Sequence, residues 1–73
     1  MNDQDETIRR VHQALSSAGV GHLGIRVEDE GGVAVRALYP MDVEQIKLAL
    51  KSIGFAFKNL ERGLDNGYYV VAA

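Results

Sequence analysis

The chain has 73 residues, no cysteine, 47% hydrophobic and 25% charged residues, and a formal net charge of −2 with a pI near 5.5. That length holds one domain, spanning 1–73, near the lower size at which a hydrophobic core outweighs chain entropy unaided. The composition excludes a disulfide scaffold and a thiolate zinc site, and its acidic balance disfavours nonspecific nucleic-acid binding, which needs a basic face.

The first residues, "MNDQDETIRR", are polar and acidic, so neither a signal peptide nor a membrane span is expected, and the expected setting is cytoplasmic. Ile8, Val11, Ala14, Leu15 and Ala18 recur at helical spacing and predict an amphipathic helix over about 5–18. Asp3 and Glu6 suit a capping box, and Gly19 suits the left-handed position past the end. "HLGIRVE" and "VAVRALY" then alternate apolar with polar around "EGG". A three-residue loop of Glu30, Gly31 and Gly32 predicts a hairpin with Val27 facing Val35, Ile25 facing Ala37 and Arg26 facing Arg36.

In "MDVEQIKLALKSIG", Asp42 is expected to cap a second helix, Gln45 to close a capping box and Met41 to staple onto Ile46. Val43, Ile46, Ala49, Leu50 and Ile53 form its buried stripe, Leu48 projects opposite, and Gly54 ends it. "FAFKNLERGL" and "YYVVAA" read as two strands around "DNG". A three-residue loop there puts Leu60, Arg62 and Leu64 on one face with Tyr68, Val70 and Ala72. A two-residue loop puts Phe55 and Phe57 there instead, and a bulge near Asn59 reconciles the two.

Sliding the chain by 35 residues pairs 7–38 with 42–73 and gives seven identities: Ala14/Ala49, Leu15/Leu50, Ser17/Ser52, Gly19/Gly54, Gly32/Gly67, Val35/Val70 and Ala37/Ala72. Ordinary composition gives about two or three. The expectation is an α+β fold of order αββαββ: a four-stranded antiparallel sheet with both helices on one face, built as a pseudo-repeat of two αββ units at about 5–39 and 42–73.

The face away from the helices is expected to carry Arg26, Glu28, Ala34, Arg36, Leu38, Tyr69, Val71 and Ala73. This mixture of Arg, Tyr, Leu and Val resembles a protein-binding surface. Arg26 opposite Arg36 calls for compensation, from Glu28 nearby or from an acidic partner or phosphate. Lys58 and Arg62 would join them if register brings them to that face. Leu48 is the exposed apolar residue of the outer helix face, where a partner on the helical layer would dock. Asp29 and Glu30 read as a solvated acidic loop. His12 and His22 lie on separate elements and read as no metal pair, and Ser16 and Ser17 read as a helix end. No catalytic residue, cofactor site or metal site is expected.

"IRRVHQAL", "IRVEDEGGVAV" and "GFAFKNL" are similar in apolar spacing to BON domains, αββαβ modules of envelope proteins, a resemblance that implies contact with membrane phospholipids. The second strand ends "RALYP", without the glycine that family carries there, and the chain is not assigned to it. The function expected is a small non-enzymatic adaptor or regulator, of a kind carried by phages or mobile elements, binding another protein or a second copy of itself as a homodimer. It would use the open sheet face or a strand edge, through Arg26, Arg36, Leu38, Tyr69, Val71 and Leu48. The alternative is a nucleic-acid-binding module using Arg26, Arg36, Lys58 and Arg62.

Overall fold

A computed structural model describes residues 3–28 and 31–73, with the Asp3 side chain excepted. The capping box expected of Asp3, and the loop residues Asp29 and Glu30, lie outside the described residues. The order is α1 (Asp3–Ala18), β1 (His22–Val27), β2 (Val33–Ala37), a 3-10 turn (Pro40–Asp42), α2 (Val43–Ser52), β3 (Phe57–Arg62) and β4 (Tyr68–Ala72). The strands form one antiparallel sheet in the order β1-β2-β4-β3, as the αββαββ reading expects. No helix among the described residues is long and apolar enough to cross a membrane.

Both α-helices end alike. Gly19 takes φ 69° and Gly54 φ 96°. The N–H groups of Gly19 and Val20 donate to the carbonyls of Ser16 and Leu15, as those of Gly54 and Phe55 do to Lys51 and Leu50. These paired bonds define a Schellman motif, which satisfies carbonyls that the helix itself leaves open. The start of α2 differs from expectation. Asp42 is already helical, at φ −78° and ψ −13°, and is not the side-chain cap. Pro40, whose ring fixes φ near the helical value, begins a turn earlier. The Asp42 carboxylate instead accepts the Tyr39 N–H at 3.1 Å, closing the turn from its third position. Met41 is 81% exposed and staples nothing.

The core gathers Val11 and Leu15 of α1, Ile46, Ala49 and Leu50 of α2, and Val33, Val35, Ala37, Val70 and Ala72 from the inner face of the two central strands. The apolar run at the end of the sequence is therefore a central strand. Ala18, counted in the predicted stripe, is exposed as the last residue of α1. Arg10 ties the helices together by donating to the Ile53 carbonyl at 3.1 Å.

The hairpin registers correct the predicted ones by two residues. In the first, Val27 pairs with Val33, Arg26 with Ala34 and Ile25 with Val35, and Arg36 stands opposite Gly24. Arg26 does not face Arg36. The strands end at Val27 and Val33, and beyond them the Glu28 N–H donates to the Gly32 carbonyl at 2.7 Å. In the second hairpin, Arg62 pairs with Tyr68 and Leu60 with Val70, and the Gly63 N–H donates to the Gly67 carbonyl at 2.8 Å. Leu64 therefore lies in the loop, fully exposed, rather than in the strand. A register shift between Phe57 and Asn59 returns Phe57 to the face of Leu60, Val70 and Ala72, where the bulge was expected.

The second ladder reproduces the first at an offset of 35 residues. His22 with Ala37 becomes Phe57 with Ala72, Val27 with Val33 becomes Arg62 with Tyr68, and the irregularity between His22 and Gly24 becomes that between Phe57 and Asn59. The left-handed loop residues also correspond: Gly31 at φ 85° and Asn66 at φ 63°. Between the hairpins, Val33 pairs with Ala72, Ala34 with Val71, Val35 with Val70 and Arg36 with Tyr69. This ladder sets Val35 opposite Val70, which are themselves 35 residues apart.

Candidate functional site

The open sheet face is built from rows that cross all four strands. Arg26, Ala34, Val71 and Asn59 form one row, and Gly24, Arg36, Tyr69 and Glu61 the next. The Arg26 side chain lies across them. Its guanidinium donates to Glu28 at 2.7 Å, stands 5.3 Å from the centre of the Tyr69 ring and comes within 3.9 Å of Glu61 on the opposite edge strand. The hydrogen bond and charge of Glu28, with Glu61 and Tyr69 adding to them, push the Arg26 pKa above its ordinary value. Under this layer Ala34 is fully buried and Val71 is 8% exposed.

Arg36 is covered from the other side. It pairs with Asp65 of the second hairpin loop at 3.0 Å, and its Nε is buried without a hydrogen-bond partner. The loop can lie this close because residue 67 is glycine: a Cβ there would overlap Arg36 Nε and stand 3.0 Å from its Nη2. Asp65 Oδ1 accepts the Gly67 N–H at 2.9 Å, which fixes the carboxylate for the pair. A shallow cleft of about 480 Å³ remains between Arg26, Glu61, Arg62, Leu64, Asp65 and Tyr69.

Of the residues expected on this face, Arg26, Arg36, Tyr69 and Val71 do share it, as a self-paired ionic and aromatic cover rather than an exposed apolar patch. Leu38 lies past the end of β2, partly exposed beside Gly21. Arg62 belongs to the helix-side face, with its guanidinium 5.1 Å from the Tyr68 ring, and Lys58 sits in the bulge of β3. The four basic residues do not form one surface.

A different surface collects three of the exposed apolar side chains, Leu48, Phe57 and Leu60. The layer of helices sits off-centre over the sheet: α1 packs on β1 and α2, whereas α2 packs mainly on β4. Positions 35 residues apart consequently meet different surroundings. Ile25 of β1 is half-buried against the core, whereas its counterpart Leu60 of β3 is 45% exposed. His22 is half-buried, and its counterpart Phe57 is 44% exposed.

Leu48, 60% exposed as its helical angle predicts, lines an open cleft of about 550 Å³ between α2 and the start of β3. The other walls include Lys47, Lys51, Phe55 and Phe57. Lys47 is held by Glu44 at 3.0 Å and stands 4.2 Å from the Phe57 ring centre, within cation–π range. The equivalent contact in the first half joins His12 and His22, whose rings meet edge to face at 5.5 Å. The sequence reading held these histidines apart. The bulge in β1 and the packing of α1 bring them together, with His22 Nδ1 3.3 Å from the Val20 carbonyl. Among the described residues no three His, Cys, Asp or Glu side chains gather as a metal site.

Phe57 and Leu60 were not singled out by the sequence reading, because their exposure depends on which strand lies at the edge. The signal present was the unresolved face of Phe57 together with Leu48 on the helix. Comparison with protein-family models, with curated proteins and with solved structures finds no match to this chain.

Proposed function

We propose that the protein is a small non-enzymatic interaction module, an adaptor or regulator that docks an extended segment of a partner on the β3 edge and the adjoining α2 cleft. One observation carries this reading. Within a ladder that repeats at 35 residues, β1 is sheltered by α1, but β3 leaves Phe57 and Leu60 exposed along an unpaired edge, next to Leu48. Apolar side chains beside a free row of backbone donors and acceptors are what strand addition uses, the backbone supplying affinity and the side chains specificity. The open face is the poorer docking surface, since Arg26 and Arg36 are already ion-paired there with Glu28 and Asp65. We also infer that the two αββ halves are copies of one unit. The seven identities and the coincident ladders support this.

Two measurements test the reading together. Light scattering over a range of protein concentrations reports self-association, and a random-peptide display library selected on immobilised protein reports capture of extended segments. Peptides that are enriched on the wild type and lost on Leu48→Glu are expected. A monomer at every concentration that enriches no peptide refutes the module, and peptides lost only on open-face variants move the docking surface to that face.

A further inference from the structure

We propose that the segment taken up at β3 is acidic: an extended stretch of another protein in which carboxylates alternate with apolar side chains. This rests on the docking reading above and adds the chemistry of the partner. The first argument is charge. The chain carries a net charge of −2, yet Lys47 and Lys51 border the cleft and Lys58 and Arg62 lie along β3, against Glu44 in the cleft and Glu61 of β3, which is turned to the open face near Arg26. Glu44 pairs with Lys47, and Lys51 and Lys58 make no ion pair among the described residues. A strip with a cationic excess on an acidic protein selects anionic partners and repels copies of its own surface.

The second argument is the direction of the backbone groups. The Gly63 N–H bonds the Gly67 carbonyl, so alternation along an antiparallel ladder turns Glu61 and Asn59 toward β4 and leaves the N–H and C=O of Leu60 and Arg62 pointing out from the sheet. The side chains of Leu60 and Arg62 lie on the same face as Phe57 and the cleft. A strand bonded to these groups places alternate side chains on that face, an apolar one beside Leu60 and Phe57 and a carboxylate beside Arg62 or the lysines.

The third argument excludes the simplest competitor. Two-fold antiparallel self-pairing of β3 about Leu60 sets Arg62 against Lys58 of the second copy. Self-pairing about Glu61 or Arg62 sets identical charges against each other. Like charges directly opposite destabilise a ladder, so the edge that invites a strand discourages its own.

The test uses the whole protein and two fluorescein-labelled, end-blocked peptides of ten residues, one alternating Glu with Val and Phe, the other alternating Lys with the same apolar residues. Binding is followed by fluorescence anisotropy at low and moderate salt. The Glu peptide is expected to bind at least about tenfold more tightly than the Lys peptide and to weaken as salt rises. Leu48→Glu, at an exposed position, should lower its affinity by about tenfold or more. Leu60→Pro, which removes an outward N–H without touching the β4 ladder, should do the same with the circular-dichroism spectrum unchanged.

Leu23→Glu, on the opposite edge strand, should leave binding as it was. A Lys peptide that binds as well as the Glu peptide and is sensitive to Leu48→Glu overturns the acidic partner but leaves the docking reading standing. Binding indifferent to both Leu48→Glu and Leu60→Pro, or no binding of either peptide, overturns the inference. The display selection then decides the docking reading separately.

Discussion

Val35 and Val70 face each other at the centre of the sheet, both fully buried and both in the one core cluster. Shortening either to alanine removes two methyl groups from a site that strands on both sides hold in place. At about 0.8 kcal/mol per buried carbon the transfer loss is about 1.6 kcal/mol. The void left between rigid neighbours brings the cost of Val35→Ala or Val70→Ala to about 2–3 kcal/mol. A chain of this size has a total stability on the order of 4–11 kcal/mol, so each variant stays folded but visibly weakened.

Because the two positions are equivalent in the ladder, their costs should agree within about 0.5 kcal/mol. The double variant should cost less than the sum by about 0.5–1 kcal/mol, because each single change already loses the contact between them. Urea unfolding followed by circular dichroism measures all three, and with a slope on the order of 1 kcal/mol per molar each single variant lowers the midpoint by about 2–3 M. Single costs differing by more than about 1 kcal/mol would refute the equivalence of the two halves. Costs near zero at both would remove the valines from the core.

Gly32→Ala sets a Cβ 2.9 Å from the Ala72 carbonyl, a backbone atom that cannot turn aside, and should cost about 1–3 kcal/mol, whereas Gly24→Ala meets nothing within 4 Å and should leave the melting temperature nearly unchanged. Gly19→Ala and Gly54→Ala meet no atom but force alanine to positive φ, so each should lose about 1–2 kcal/mol in urea unfolding, and by similar amounts. Asp65→Asn keeps the acceptor for Gly67 and removes the charge beside Arg36. It should cost less than about 1 kcal/mol, and the difference from wild type should shrink in 1 M salt, as thermal melts at two ionic strengths would report.

Much of this fold is legible locally. The apolar spacing gave both helices, Gly19 and Gly54 gave their ends, and alternation gave the faces of the strands. What alternation does not give is register to within two residues. A three-residue loop and a five-residue loop place the same side chains on the same face, so burial cannot choose between them, and the choice falls to backbone bonds across the loop. That shift of two is why Arg26 meets Ala34 rather than Arg36. Strand order is equally invisible to a local pattern, since an alternating strand reads alike at the centre and at the edge. The exposure of Phe57 and Leu60 therefore depends on a strand order that alternation does not encode, whereas that of Leu48 follows from its angle on α2.

The offset of 35 residues turns the molecule into its own control. Where the first half has His12, Gln13 and His22, the second has Lys47, Leu48 and Phe57 in the same places on the same kinds of element. In the first half these positions are polar, and β1 beside them lies against α1. In the second they are apolar and cationic, and β3 beside them is only partly covered, by Lys47 over the Phe57 ring. A sequence under selection for folding alone has no reason to place Phe at the more exposed member of the Phe57/His22 pair, or Leu at a helix position that is exposed in both halves, because apolar groups stabilise by leaving water. The exchange of polar for apolar side chains runs against stability at Leu48/Gln13 and at Phe57/His22, and Leu48 and Phe57 line one cleft. Because Leu48 and Phe57 share one cleft, we propose the docking surface at β3 rather than on the broader face that Arg26, Arg36 and Tyr69 cover.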